Sequence, residues 1–269
     1  MAEPDPAAAG LSPPVQALAR VARSAGEIAL KYFHGENRSW MKSGNSPVSE
    51  ADIAVHRFLR DAVAVEFPQA IFVSEEDEDA KELPETGTAV ITDPIDGTRG
   101  FLAGDPNWAV ALALLDDLET IAGVVCCPAL GRMFVAESGR GAYLNGEPLR
   151  CPQHREMRRL TGSRRLNALL AERYGERYEI ADFVPSLACR LAMVATGEID
   201  VALARSGAHV WDIAAAAIVL TEAGGALVMP DGRPWKIASR SNRAPALVAA
   251  GAGLLDSALA LAKSSRILQ

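Results

Sequence analysis

The stretch Thr92-Asp93-Pro94-Ile95-Asp96-Gly97-Thr98-Arg99-Gly100-Phe101 follows an apolar run over residues 89–91 and combines two carboxylates, a hydroxyl, a proline and a glycine. Carboxylates three positions apart point to opposite faces of a strand, and Pro94 cannot donate to a sheet ladder. We therefore expect a turn that brings Asp93 and Asp96 together. At about 5 Å and an effective dielectric constant of about 20, two ionised carboxylates repel by about 3 kcal/mol. The pair predicts a bound cation, for which oxygen ligands favour Mg²⁺ or Mn²⁺.

The end of this stretch predicts an anion site beside the cation. Gly97 permits an unusual backbone conformation, and the amides of Gly97 and Thr98 are placed to open a short helix toward an anion. A metal next to an anion indicates phosphate chemistry. One alternative is a structural turn in which both aspartates make only local capping bonds. A second, the Asp-x-Asp-Gly-Thr signature of aspartyl-nucleophile phosphatases, disagrees with the spacing, because Asp93 and Asp96 are three apart with Pro94 between them.

Composition narrows the class of protein and partner. With 269 residues, of which 49% are hydrophobic, the chain can bury a substantial core as one large domain or two small ones. A formal net charge of −7 argues against nucleic-acid polymers and acidic membranes as partners, and leaves small phosphorylated metabolites open. No apolar run approaches the roughly 20 residues that span a bilayer. The four cysteines lack Cys-x-x-Cys spacing, which is typical of a reduced, cytoplasmic protein.

Hydrophobic periodicity predicts an α/β chain with two lobes. Residues 1–14 are acidic and rich in alanine and proline, and we expect them to form a disordered leader. A polar, basic segment over 151–165 predicts a boundary between an N-terminal lobe, 15–155, and a C-terminal lobe, 156–269. The predicted elements are helices over 15–33 and 49–67, a strand over 70–73, an antiparallel meander over 108–144, helices near 186–196 and 213–223, and strands near 201–204, 226–229 and 247–250.

Four further carboxylates stand at the ends of predicted elements. Glu75 and Glu76 directly follow the strand over 70–73 and are placed like ligands, whereas the acidic residues 77–79 are typical of a solvated loop. Asp52 lies in the first turn of a helix, where a carboxylate favours the helix dipole. Asp212 precedes a helix, where an ordinary N-cap contributes about 1 kcal/mol.

Several of these positions jointly resemble the inositol monophosphatase superfamily of metal-dependent phosphomonoesterases. The matching pieces are Lys42 with residues 47–52, Ser74-Glu75-Glu76, Asp93-Pro94-Ile95-Asp96-Gly97-Thr98, Trp211-Asp212 and Thr221-Glu222-Ala223-Gly224-Gly225. They follow the family's order and together cover nearly the whole chain. The resemblance implies an α/β (α+β) fold layered as an αβαβα sandwich, a site between the lobes, inhibition by lithium and a homodimer.

The resemblance also implies a cluster of two or three Mg²⁺ ions. One ion would be held by Glu75, Asp93 and the Ile95 carbonyl. A second would be held by Asp93, Asp96 and Asp212, and Glu75 would share a third through water.

The same resemblance implies catalytic roles for three residues. Thr98, paired with Asp52, would orient or deprotonate the attacking water, with help from Glu76. The amides of Gly97 and Thr98 would receive the phosphate. Direct in-line attack by water fits these roles, because no cysteine phosphatase loop, Walker motif or Gly-x-Ser-x-Gly elbow is present in the sequence.

Two arginines point to the substrate. Arg205, seven positions before Asp212, stands where inositol phosphatases of the family usually carry a glutamate, and residues 185–190 look more like bacterial CysQ-type 3′(2′),5′-bisphosphate nucleotidases. Arginines suit a second phosphate, so we predict adenosine 3′,5′-bisphosphate as substrate, bound by Ser186, Arg190 and Arg205. Alternatives are inositol 1-phosphate, histidinol phosphate, and arginines that make only structural ion pairs. A catalytically silent relative that binds a phosphometabolite or a protein is an alternative of another class.

Overall fold

The computed structural model describes residues 5–42, 47–77, 82–154, 156–237, 240–265 and 268. Residues 43–46, and residues 78 and 79 of the predicted acidic loop, lie outside these ranges. The α-helices of the described chain are Pro13–Phe33 (α1), Glu50–Glu66 (α2), Thr98–Leu102 (α3), Arg164–Tyr174 (α4), Leu187–Thr196 (α5), Ala214–Glu222 (α6) and Leu255–Ser265 (α7). Its strands are Ser39–Met41 (β1), Pro47–Ser49 (β2), Ile71–Ser74 (β3), Thr88–Asp96 (β4), Ala109–Asp116 (β5), Glu119–Cys127 (β6), Arg132–Glu137 (β7), Gly141–Leu144 (β8), Glu147–Leu149 (β9), Arg159–Thr161 (β10), Glu179–Ile180 (β11), Val201–Ala204 (β12), Ala226–Val228 (β13) and Leu247–Ala250 (β14).

A seven-stranded sheet carries the first half of the fold, in the order β3-β4-β5-β6-β7-β8-β9. β3 pairs in parallel with β4, and every later pair is antiparallel, which confirms the predicted meander. Successive side chains of β5 alternate between two hydrophobic clusters: Ala111 and Ala113 enter one, and Leu112 and Leu114 enter the other. The sheet is therefore buried on both faces, as its almost continuous apolar strands require.

The helices and a second sheet complete five layers. Helices α1 and α2 cover one face of the seven-stranded sheet, and α5 and α6 cover the other. The far side of α5 and α6 packs on a five-stranded sheet, ordered β11-β10-β12-β14-β13, whose outer face is covered by α4 and α7. This arrangement confirms the αβαβα sandwich. The two sheets lie on either side of residue 155, and the division into lobes at that residue stays a prediction.

Residues 5–14 differ from the expected disordered leader. They contain a 3-10 helix over Pro6–Ala8, and Ala7 and Ala8 are buried. The Asp5 carboxylate accepts hydrogen bonds from Arg23 on α1, at 2.6 Å from Nε and 2.7 Å from Nη2. An acidic, proline-rich segment is thus ordered by a cation on a neighbouring helix, which its own composition does not reveal.

The expected turn at Pro94 is instead a bulge in a continuous strand. β4 continues to Asp96, and its pairing with β5 shifts register, because Asp93 faces Ala111 while Asp96 faces Ala109. Two residues of β4 thus oppose one residue of β5, which places the proline where the ladder is already interrupted. Ile95 N donates to Asp93 Oδ1 at 2.9 Å and fixes that carboxylate locally.

The basic segment predicted as a boundary contains two regular elements, β10 and the start of α4, which the sequence did not predict. Helix α7 was missed as well. None of the helices in the described ranges combines the length and apolar composition needed to cross a membrane.

Candidate metal centre and active site

Glu75 and Asp93 lie together because β3 and β4 are parallel. Ser74 pairs with Thr92, so the residues that follow them, Glu75 and Asp93, lie side by side at the end of β3. The Glu75 amide donates to the Thr92 carbonyl at 3.2 Å and keeps the chain in register beyond the end of β3. The two carboxylates that the sequence placed at separate strand ends are thus neighbours.

Asp212 reaches the same point from the other half of the chain. It ends a 3-10 helix over Val210–Asp212, and its Oδ2 accepts the His209 amide at 3.2 Å. One oxygen each from Glu75, Asp93 and Asp212 lie within 4.8 Å of one another. Because α6 begins at Ala214 with Ile213 at its cap position, Asp212 is not the N-cap of that helix.

Asp96 is buried next to this group of three and is held by α5. Its Oδ2 accepts hydrogen bonds from Ser186 Oγ at 2.6 Å and from the Ala188 amide at 2.6 Å. Ser186 is fully buried and is also the N-cap of α5. Ser186, which the sequence predicts to bind substrate, therefore orients a carboxylate, and its contact with substrate stays a prediction.

The carboxylates of Glu75, Asp93 and Asp212 are close together and are not fully neutralised by neighbouring positive charges. Burial, reinforced by the neighbouring carboxylates, raises the pKa of Asp93 and Asp212 well above their ordinary values. Burial likewise raises the pKa of Glu75 to about 7, although Lys42 opposes the shift. Such carboxylates share protons or bind a cation, and a cluster of oxygen donors fits a hard divalent ion.

Asp52 and Thr98, predicted as a pair, are in contact. Asp52 Oδ2 accepts hydrogen bonds from the amide and the hydroxyl of Ser49, at 2.7 and 2.6 Å, and closes a capping box at the start of α2. Its other oxygen, Oδ1, lies 3.3 Å from Thr98 Oγ1, which is also 3.0 Å from the Ile95 carbonyl. Asp52 thus starts a helix and faces the site at once.

Glu76 is fixed by a residue to which the sequence assigned no role of its own. Lys42 Nζ lies 2.5 Å from Glu76 Oε1 and 3.9 Å from Glu75 Oε1. Burial raises the pKa of Glu76, and the hydrogen bond and charge of Lys42 oppose that shift. The family resemblance already included Lys42, which belongs to the first matching piece, but it did not indicate the contact with Glu76.

Gly97 joins the bulged strand to α3 and meets the steric conditions for glycine. Its φ is +94°, and a Cβ at this position would lie 3.0 Å from the Ser186 amide nitrogen. The predicted short helix follows at once, since α3 begins at Thr98. The first amides of a helix have no intrahelical partner and face whatever the loop encloses.

A cavity of about 630 Å³ opens over these groups. The predicted site residues in its wall are Glu75, Asp93, Ile95, Asp96, Gly97, Thr98 and Asp212. Arg190 is 7% exposed and its Nε lies 3.4 Å from the Ser186 carbonyl, behind the carboxylates. Within the described ranges, Arg205 is not among the residues of this wall.

Sequence reasoning missed the basic part of the wall. Arg164, Arg165 and Phe183 line the cavity, together with Arg99, which directly follows the Asp-Gly-Thr of the opening stretch. They come from α3, the start of α4 and the segment before α5. Only the folded chain brings these segments together, although the Gly-Ser at residues 162–163 was a usable signal for a helix start.

Comparison with known proteins agrees with this geometry. Residues 11–264 match the model of the inositol monophosphatase family. Human inositol monophosphatase 1 is 32% identical over 241 residues, covering 82% of this chain and 84% of that protein. A histidinol-phosphatase of Chlorobaculum parvum is 36% identical over 141 residues, covering 52% of this chain and 53% of that protein. The structure of a Thermotoga maritima IMPase superposes with a TM-score of 0.80 at 27% identity, covering 93% of this chain and 96% of the other. The chain belongs to the inositol monophosphatase family.

Proposed function

We propose that this protein is a Mg²⁺-dependent phosphomonoesterase that hydrolyses a small phosphorylated metabolite by direct attack of water. The observation that carries the proposal is the meeting of Glu75, Asp93 and Asp212, whose carboxylate oxygens lie within 4.8 Å of one another at the base of a cavity. The family relationship supports the same reaction class. No predicted ligand is replaced in the sequence, which argues against the alternative of a catalytically silent binding protein.

The donor set fits the proposed metal. Three buried or partly buried carboxylates with raised pKa values need positive charge, and all of their donor atoms are oxygen. Glu75, Asp93 and the Ile95 carbonyl would hold one ion, and Asp93, Asp96 and Asp212 a second. We propose two ions, with a third shared by Glu75 through water. When bound, Mg²⁺ neutralises charge on phosphoryl oxygens and makes a bound water more acidic.

The chain's own groups position the nucleophile and the phosphate. Thr98 Oγ1 can donate to Asp52 Oδ1 while it accepts a hydrogen bond from a water, so the pair orients this water. If the water gives its proton to Thr98 Oγ1, the hydroxyl proton of Thr98 passes to the Asp52 carboxylate. Asp52 keeps this orientation because its other oxygen is held by Ser49. Glu76, held by Lys42, is the second group proposed to position water. The amides of Gly97 and Thr98 are the proposed donors to the phosphate.

For the substrate, we propose a phosphomonoester with a second phosphate, and adenosine 3′,5′-bisphosphate as the first candidate. The supporting observation is the presence of Arg99, Arg164 and Arg165 in the cavity wall. The names of the relatives keep inositol 1-phosphate and histidinol phosphate as candidates. Ser186 and Arg190 are buried behind the carboxylates, so we now assign them to the support of Asp96.

Release of inorganic phosphate from these three compounds, each with saturating Mg²⁺, tests the proposal. We expect release from at least one and the highest kcat/KM with the bisphosphate. A higher kcat/KM with inositol 1-phosphate or histidinol phosphate would overturn the substrate assignment but keep the reaction class. No release from any of the three would contradict the proposed function itself.

Two further proposals rest on the resemblance and the composition. We propose a homodimer, which size-exclusion chromatography with light scattering can test. We also propose a cytoplasmic location, which the four buried cysteines, each of them a free thiol, support.

A further inference from the structure

The cavity wall combines two opposite kinds of charge. Glu75, Asp93, Asp96 and Asp212 supply carboxylates, and Arg164 and Arg165 supply guanidinium groups. No ion pair within the described ranges involves either of these two arginines. They are exposed, and they line the cavity without neutralising its carboxylates.

Their position in α4 is unfavourable for a helix on its own. Arg164 and Arg165 are the first two residues of α4, and the first turn contains no acidic residue. The positive end of a helix dipole disfavours cations at this position and favours an anion. A bound anion would relieve this repulsion and would be attracted by both side chains.

The Arg164 side chain is ordered by an aromatic ring. Its guanidinium carbon lies 4.4 Å from the centre of the Phe183 ring, while that of the buried Arg190 lies 5.8 Å from the same centre. Arg190 Nε is 3.4 Å from the carbonyl of Ser186, the residue that donates to Asp96. Because Arg190 also faces the Phe183 ring, this ring lies close to the support of Asp96. A guanidinium over a ring keeps its N–H edge available for a bidentate contact with a phosphate or a carboxylate.

We propose that Arg164, Arg165 and Phe183 form a subsite for a second anionic group of the substrate. The subsite selects phosphomonoesters that carry another phosphate or a carboxylate over those that carry one anionic group. Arg164 makes the planar contact, Phe183 holds its guanidinium, and Arg165 adds charge. This inference rests on the proposed phosphatase activity and replaces Arg205 as the specificity residue.

Two matched substrate pairs separate the possible anions. Adenosine 3′,5′-bisphosphate and adenosine 3′-monophosphate differ by a phosphate, and 3-phosphoglycerate and glycerol 3-phosphate differ by a carboxylate. In Arg164→Ala and Arg165→Ala, we expect kcat/KM to fall by about tenfold to a hundredfold for the doubly anionic member of a pair. The other member should change little. Selective loss in the first pair identifies a phosphate, and selective loss in the second identifies a carboxylate.

Three further variants sharpen the test. Arg164→Lys keeps the charge but loses the planar edge, so its loss should be intermediate. Phe183→Leu should show the same selectivity as Arg164→Ala, because it removes the ring and keeps the arginine. Arg173→Ala, an exposed arginine at the far end of α4, is the control and should affect both members of each pair equally. Equal losses on both members in Arg164→Ala and Arg165→Ala would overturn the subsite.

A binding measurement separates this inference from the proposed function. In Thr98→Ala, which should hydrolyse slowly, calorimetry with Mg²⁺ gives the Kd of adenosine 3′,5′-bisphosphate and of adenosine 3′-monophosphate. We expect the bisphosphate to bind about tenfold or more tightly, and Arg164→Ala to remove that preference. Equal Kd values would contradict the subsite even if phosphate is released. A preference without phosphate release by the wild type would support the subsite and contradict the phosphatase assignment.

Discussion

At the level of single residues, the two carboxylate oxygens of Asp52 have different hydrogen-bond partners. Oδ2 takes both hydrogen bonds from Ser49, and Oδ1 faces Thr98. The sequence offers two explanations for Asp52: a carboxylate that favours the start of a helix, and a partner of Thr98 in the proposed reaction. The structure allows both, because each oxygen has a different partner. This arrangement allows the proposed role of Thr98 in turnover to be tested separately from the role of Asp52 in stability.

Removing the Thr98 hydroxyl should damage turnover and spare the fold. We expect Thr98→Ala to lower kcat by about 10²- to 10⁴-fold, because the group that orients the water is lost. Thr98→Ser keeps the hydroxyl and should retain most of the activity. The melting temperature of both variants should stay close to that of the wild type, since Ser49 still holds Asp52. A near-normal kcat for Thr98→Ala would rule out this role.

Residue-level prediction was strongest where chemistry and chain position coincide. Glu75 and Asp93 each come shortly after an apolar run of the sequence, and the parallel pairing of β3 and β4 brings them together. The predicted contacts of Ser186 and Arg190 with the substrate stay a prediction, and a sequence does not show that both side chains are buried. The hydrogen bond from Ser186 to Asp96 joins residues 90 positions apart.

At the element scale, helix α6 determines where Asp212 lies. It packs so closely on β6 that a Cβ at Gly123 would be 2.6 Å from the Ala215 carbonyl oxygen and 2.6 Å from Ile218 Cγ2. Asp212 lies two residues before this helix, so we expect a movement of α6 away from the sheet to move Asp212 relative to Asp93. The close approach of α6 to Gly123 therefore links the packing of this strand to the position of Asp212.

Gly123→Ala should therefore weaken both the fold and the site. We expect the free energy of unfolding to fall by about 1 to 3 kcal/mol through overpacking, and Mg²⁺ to bind more weakly because α6 must move. Guanidinium titrations and calorimetry measure the two effects. Ile121→Ala, on an exposed position of the same strand, is the control and should change stability by less than about 0.5 kcal/mol. Unchanged stability in Gly123→Ala would show that the contact is not tight.

Other elements show why local sequence was insufficient. Pro94 correctly indicated that the hydrogen-bond ladder of β4 is interrupted. The sequence predicted a turn and not a bulge, because the pairing of β4 with β5 on both sides of Pro94 is a tertiary contact. Helix α4 was missed because its polar residues resemble a linker, and only Leu166 and Leu170 are buried on it. The basic cavity wall was missed together with that helix.

At the scale of the whole molecule, the layered fold was predictable because the matching motifs extend from Lys42 to Gly225. The ordered structure of residues 5–14 was not predictable, because it depends on the ion pair between Asp5 and Arg23 on α1. Burial raises the pKa of Asp5, but the hydrogen bonds from Arg23 and Ala7 outweigh it, so the pKa lies below its ordinary value of 3.8. Asp5 therefore stabilises the fold above pH 4, and this contribution is lost as the pH falls through the lowered pKa.

Asp5→Asn tests whether this segment belongs to the fold. We expect the free energy of unfolding at pH 7 to fall by about 1 to 3 kcal/mol, because a charge-assisted contact is lost. The difference from the wild type should shrink as the pH falls below about 4, where the wild-type carboxylate also becomes neutral. Denaturant titrations at several pH values measure this difference. A difference that is absent, or constant down to pH 3, would contradict the ion pair.

The central claim is that the Glu75, Asp93 and Asp212 carboxylates hold the divalent cation on which hydrolysis depends. The direct test is the rate of phosphate release as a function of Mg²⁺ concentration, measured after removal of metal with EDTA, for the wild type and Asp93→Asn. We expect no release by the wild type without Mg²⁺ and a saturable rate with it. The Asp93→Asn rate should be at least about a hundredfold lower at every Mg²⁺ concentration. Undiminished release in EDTA, or the same Mg²⁺ dependence in Asp93→Asn as in the wild type, would contradict the claim.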